Sequence, residues 1–282
     1  MSMSLQRVVA AIGRLPGVSA CVRHPSVRGV LERLPVTQDL YGTGWERRHP
    51  FDRLHGTDTS GVVPAMALPP DQGARAHAVC YAGSQPSVLR QALALLPPVE
   101  RRTFLDLGCG KGRALLVASE LPFRDIVGVE LSPPLAEIAR RNAARVAATR
   151  PQRAAIRVVV ADASTFPLPA GDLVVFLYHP FDAALVELVA RRIDAALAAA
   201  PRSIHVVYYN PVAGYCFDAA PRLRRCFAGM LPYAEDELGF GPDTEDTVVI
   251  WQGGPDLTAA TPAAAARIVT APGALRARLE PT

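Results

Sequence analysis

The chain has 282 residues, 50% of them hydrophobic and 20% charged, with a net charge of +4. That length buries a full α/β core with an added cap, and one core plus an appendage suits it better than two equal domains. With no run of eighteen apolar residues there is no candidate membrane span. Lys111 is the lone lysine among thirty basic residues, and Ala and Pro abound, which reads as GC-rich coding bias. The arginines are spread along the chain, and the cluster of Arg140, Arg141 and Arg145 reads as a solvated helix face rather than a phosphate track, so no nucleic-acid partner is expected. Five cysteines, at 21, 80, 109, 216 and 226, form no C-x-x-C pair and no ligand spacing with the histidines, so neither a disulfide scaffold nor a metal site is expected.

Three regions follow along the chain: 1–100 of mixed helix and loop, 101–252 as a wound sheet, and 253–282 as an Ala/Pro-rich tail with one short helix near Ala263 to Ile268. The first thirty-one residues carry four arginines and no acid, which superficially suits a transit peptide. An amphipathic helix from Leu5 through Val8, Val9, Ile12 and Leu15 is the simpler reading, and the coding bias suits a bacterial, cytoplasmic protein. Gly, Pro and aromatic residues concentrate around Tyr41 to Trp45 and Phe51 to Gly61, ordinary turn chemistry by composition. Phe104 to Leu107 then reads as a buried strand, Gly108, Gly110 and Gly112 as a tight turn, and Ala114 onward as a helix. Such a turn lets a ligand approach backbone amides at a helix N-terminus. Cys109 sits within it, where a small residue fits.

A second strand, Ile126 to Glu130, ends in an acid eighteen residues after the last glycine. Ser132 and Pro133 open a helix, with a hydroxyl cap and proline in the first turn, leading into Leu135 to Ala148. Ile156 to Ala161 forms a third strand running into Asp162 and Ala163; an Asp here can equally be a turn former. The fourth strand, Leu173 to Leu177, opens into Tyr178-His179-Pro180-Phe181, and Asp182 can cap a helix through Leu185, Leu188, Val189, Ile193 and Leu197. Ile204 to Tyr209 and Thr247 to Trp251 supply late strands.

A dinucleotide site would need its third glycine at position 113, which is Arg113. The D-x-G-x-G-x-G set of Asp106, Gly108, Gly110 and Gly112 instead resembles the first motif of class I S-adenosylmethionine (SAM)-dependent methyltransferases. That resemblance implies a doubly wound, mostly parallel, seven-stranded Rossmann-like α/β sheet with an N-terminal helical and loop lid, and SAM as cofactor. It further implies that the glycine loop wraps the methionine half, Glu130 holds the ribose hydroxyls, and Asp162 with Ala163 meets the adenine. From Phe51 to Pro211 the chain also resembles a poorly characterised bacterial branch of this superfamily and, more distantly, seven-stranded lysine methyltransferases. By that likeness Tyr81 and the segment Gly56, Thr57, Asp58 and Thr59 fold over the cofactor as a lid.

The reacting centre is expected at the Tyr178 to Phe181 loop, because ligands of open parallel sheets bind outside the carboxyl ends of strands. Amine-methylating relatives carry Asn or Asp, two prolines and an aromatic there, whereas this chain has His179 and a single proline. SAM is already an electrophile, so the protein aligns a nucleophile and, where needed, removes a proton, for which His179 is suited; a first-turn polar role is its bland reading. Tyr178 can place a ring near the sulfonium. Phe181, Tyr208 and Asn210 are candidate substrate contacts, although strand alternation sends Tyr208 and Tyr209 to opposite faces. A methyltransferase acting on a small molecule or protein side chain, as in secondary metabolism, and working as a monomer or homodimer, is the main expectation. Two alternatives stay open: a cyclase releasing methylthioadenosine and azetidine-2-carboxylate, and a non-catalytic partner subunit.

Overall fold

The computed structural model describes residues 47–63, 81–241, 243–255, 257, 259–260, 265–269 and 277–280. The expected Leu5 to Leu15 helix and the Tyr41 to Trp45 segment lie outside the described residues. Seven strands form one sheet: β1 (Thr103–Leu107), β2 (Asp125–Glu130), β3 (Ile156–Val160), β4 (Leu173–Tyr178), β5 (Ile204–Tyr209), β6 (Arg224–Pro232) and β7 (Glu245–Gly253). Their order is β3-β2-β1-β4-β5-β7-β6. The first five run parallel, whereas β7 runs antiparallel to both β5 and β6.

The central strands are continuous apolar runs because both of their faces are covered. Every residue of β1 and β5 is buried. Alternation divides them between two cores. On one face Phe104, Phe176, Tyr209 and Ile250 pack with α2 (Pro86–Ala94), α3 (Arg113–Ala118) and α4 (Pro133–Thr149), and a short α1 (Pro50–His55) precedes these helices. On the other face Leu105, Val175, Val206 and Trp251 pack with α5 (Ala183–Ala199) and α6 (Tyr215–Asp218). The chain leaves β1 toward β2 on one side and reaches β4 on the other, so a crevice opens at the carboxyl ends of β1 and β4.

Several local expectations differ in detail. Ser132 makes no side-chain cap bond at the start of α4; its amide instead donates to Glu130 Oε1 at 2.8 Å. Asp182 does cap α5, accepting from the Leu185 amide at 3.2 Å. In the tail, Arg267 and Ile268 belong to strand β8 (Arg267–Val269), paired antiparallel with β9 (Arg278–Glu280), instead of the expected helix; Ala263 and Ala264 lie outside the described residues. Pairing with a segment about ten residues downstream holds Arg267 and Ile268 extended. Among the described residues no helix is long and apolar enough to cross a membrane.

Candidate active site

A cleft opens over the carboxyl ends of β1, β2 and β4. Its floor is the glycine loop. Gly108 adopts φ 88°, and a Cβ there would stand 2.7 Å from Pro180 Cβ, so only glycine lets the loop pass beneath the β4 turn. A Cβ on Gly110 would lie 2.2 Å from the Tyr81 ring, which covers the loop from above. Gly112 is the N-cap of α3 and packs closely on Ala139 of α4.

Three of the predicted residues bring carboxylates to this cleft. Glu130 ends β2 and accepts the Gly110 amide through Oε2 at 2.7 Å and the Ser132 amide through Oε1. Burial raises its pKa, and those backbone donors oppose the rise. Asp106, 3% exposed, stands one residue before the end of β1, and among the described residues no protein group donates to its carboxyl. Burial, and then the charge of Glu130, push its pKa well above the ordinary carboxylate range. Asp162 lines the cleft while its Oδ1 accepts the Ser164 amide at 2.7 Å, so it both forms the turn and faces the site. The following loop is pinned to α5 by Arg192, which donates to the carbonyls of Ala163, Ser164 and Phe166.

The N-terminal segment is organised by a residue that the motifs did not reveal. Asp52, wholly buried in α1, accepts the Thr57 hydroxyl at 2.7 Å, the Thr59 amide at 3.0 Å and the Thr59 hydroxyl at 2.7 Å, and also the Ser60 hydroxyl. Burial alone would raise its pKa, but the hydrogen bonds from Ser60, Thr57 and Thr59 and the charge of Arg113 outweigh this and lower it. Thr57 and Thr59 are therefore buried around Asp52 rather than lining the cleft. Asp58 pairs with Lys111 Nζ at 2.9 Å, and its backbone meets the Asn142 side chain. Tyr81, which does line the cleft, donates its hydroxyl to the Thr59 carbonyl at 2.7 Å.

Arg113 joins these parts. From the first residue of α3 it donates to Thr59 Oγ1 at 2.7 Å, to the Thr59 carbonyl at 2.9 Å and to the Ser84 carbonyl at 3.2 Å, with Asp52 at 3.9 Å. The glycine loop and the covering segment are thus one hydrogen-bonded unit. A cation at the head of the otherwise apolar run Arg113 to Ala118 was the signal available for a buried anionic partner.

Tyr178 and Phe181 also line the cleft. His179 stands between them at φ 37°, an uncommon conformation for a residue with a Cβ, and its buried Nδ1 has no partner among the described residues. Burial lowers its pKa, so the ring is neutral near pH 7. It is next to the cleft wall but not part of it. Tyr208 lies in the opposite core against Phe217 and Trp251 and does not reach the cleft. Asn210, at φ 53°, accepts the Ala277 amide at 2.9 Å and holds the tail.

Residues 104–200 match the family model described as a methyltransferase domain. Within a stretch of 44 residues the chain is 57% identical to the release factor glutamine methyltransferase of Vibrio cholerae, which is 15% of the length of either protein. Among solved structures, the chain is similar to an RNA methyltransferase from Salinibacter ruber in complex with S-adenosyl-L-homocysteine, at 19% identity over 62% of this chain and 96% of that one, TM-score 0.41. It is similar as well to a putative methyltransferase from Escherichia coli, at 14% identity over 70% of this chain and 94% of that one, TM-score 0.44.

Proposed function

We propose that this chain binds SAM in the cleft over β1, β2 and β4 and transfers its methyl group to a nucleophile on a small molecule or a protein side chain. The observation that carries this reading is the Asp106 carboxyl, buried and without a protein donor, in a cleft shared with Glu130 and Asp162. A carboxyl of this kind, whose charged form has no protein donor to hold it, suits a cationic ligand that would favour its ionised form. The glycine cradle, which side chains would fill, leaves room for that ligand against the backbone. These residues fit SAM, with the Asp106 carboxyl and the glycine loop toward the methionine half, Glu130 toward the ribose diol, and Asp162 with Ala163 toward the adenine.

Bound SAM supplies an electron-poor methyl carbon on a sulfonium. The chain supplies alignment, exclusion of water and a proton acceptor. Tyr178 and Phe181 wall the end of the cleft where an acceptor would enter, and the Tyr178 ring face favours positive charge. Neutral His179, with an unpartnered Nδ1 beside that wall, is suited to take the acceptor's proton after a modest turn of its side chain. Within the N-terminal region, the segment 47–63 and Tyr81 serve as the lid: Tyr81 covers the loop directly, while Thr57, Asp58 and Thr59 hold it in place through Asp52, Lys111 and Arg113. The test is calorimetric titration with SAM, S-adenosylhomocysteine and NAD, followed by analysis of what SAM alone becomes. Tight binding of the first two and none of the third supports the reading. Methylthioadenosine from SAM alone would replace methyl transfer by the cyclase chemistry.

A further inference from the structure

The antiparallel strand β7 has a consequence for the reacting centre. Parallel strands β4 and β5 end at the crevice in Tyr178 and Tyr209, which are partners in register. Strand β6 runs the same way as these, so Tyr233, the residue after its last, arrives at the same edge. Strand β7 runs backward, and so it is its beginning, at Asp246, that reaches this edge. Four residues far apart in sequence are thereby gathered beside the cleft.

Their contacts form a chain. Only Tyr178 lines the cleft; its ring lies 4.4 Å from that of Tyr209, tilted by 30°. The Tyr209 hydroxyl donates to Asp246 Oδ2 at 2.5 Å, and the Tyr233 hydroxyl donates to the same oxygen. Tyr209, Tyr233 and Asp246 are all buried. Tyr233 is held in turn from the N-terminal region: the neighbouring Ala234 amide donates to Ser87 Oγ at 3.0 Å, and Ser87, in the first turn of α2, donates from its amide to Glu237. Packing alone would explain an apolar side chain at position 246. A buried carboxylate binding two phenols carries a desolvation cost that a merely space-filling role does not require.

We propose that Asp246 is a positioning residue for the methyl-transfer centre: by tethering the Tyr209 and Tyr233 hydroxyls it fixes the ring of Tyr178 against the reactive end of the cleft. The proposal rests on the reading that SAM lies in that cleft with its methyl toward Tyr178. Two phenols anchored on one carboxyl oxygen fix the direction of the Tyr209 ring axis, and the Tyr178 ring packed 4.4 Å from it inherits that constraint.

The test uses the full chain and SAM labelled with carbon-13 in its methyl group, so that no acceptor is needed. In the wild type the bound methyl resonance is expected to be displaced upfield of free SAM by the Tyr178 ring, and Tyr178→Leu should abolish that displacement. Tyr209→Phe retains the ring but loses the tether; Asp246→Asn retains the shape but weakens the acceptor. In both, the displacement should shrink or split into several resonances while the dissociation constant for SAM stays unchanged. Should Asp246→Asn fail to fold, Tyr209→Phe decides alone. A displacement fully kept in Tyr209→Phe, yet lost in Tyr178→Leu, overturns the positioning role and leaves the SAM site standing. A wild-type protein that binds no SAM, or a Tyr178→Leu resonance identical to the wild type, overturns the underlying reading instead.

Discussion

Replacing Asp52 by Ala should destabilise the protein and release its covering segment from the glycine loop. The side chain is wholly buried and accepts from Thr57, from both the amide and the hydroxyl of Thr59, and from Ser60. Hydrogen bonds to a charged group are each worth about 1.5–3 kcal/mol, but they share one carboxylate and do not add. The loss also leaves Arg113, itself 4% exposed, without its anion at 3.9 Å. Breaking a buried pair from one side costs about 3–5 kcal/mol, which sets the expected total. Thermal unfolding should fall by roughly 6–20 °C, taking about 2–4 °C per kcal/mol for a chain of this size class. The pKa of Asp52 is lowered in the folded state, so its contribution is present above the unfolded value of about 3.9 and disappears as pH falls through the folded value. The gap between wild type and variant should therefore close below about pH 4. A loss within about 0.5 kcal/mol at neutral pH, the size of an ordinary surface change, would refute the view that Asp52 organises this region.

Glu130→Ala should weaken SAM binding by about 1–3 kcal/mol in calorimetry, and unchanged affinity would count against a ribose role. The pKa of Asp106 is raised, so a bound cation should lower it and SAM should bind more tightly as pH rises above the ordinary carboxylate value of about 3.9, with proton release measurable by titration in buffers of differing ionisation heat. Asp106→Asn should abolish both effects. The same substitution should stabilise the ligand-free protein at neutral pH, since a raised carboxyl pKa lowers stability as pH climbs above its unfolded value; an equal or lower unfolding midpoint would contradict this. Once an acceptor is in hand, His179→Ala should reduce turnover with SAM affinity kept, and an undiminished rate would remove His179 from the chemistry.

The glycine-loop half of the cleft was legible because it is built from local sequence. Asp106, Gly108 and Gly110 lie within five residues of one another, and Glu130 follows at the end of the next strand, so short-range spacing alone assembles them. Asp162 follows the same logic, although its dual use as turn former needed the observed bond to Ser164. Legibility fades wherever a role depends on a distant partner. Thr57 and Thr59 resemble lid residues as a string, yet they are buried because Asp52 draws their hydroxyls inward. Tyr208 and Tyr209 are adjacent and chemically identical; alternation separates them, and only the helices on each face decide that Tyr209 joins Asp246 while Tyr208 packs on Phe217 and Trp251.

The sequence by itself determined the parallel α/β core and the nature of its glycine turn, because strand hydrophobicity, turn chemistry and the spacing of the acids are properties of neighbours along the chain. Tertiary structure alone decided what surrounds the Tyr178 end of the cleft. The reversal of β7 carries Asp246 to Tyr209 across 37 positions, and the fold of the N-terminal segment brings Asp52 to within 3.9 Å of Arg113. Such pairings are fixed by strand direction and by the need of a buried charge for a partner, and neither condition is met until the chain has packed.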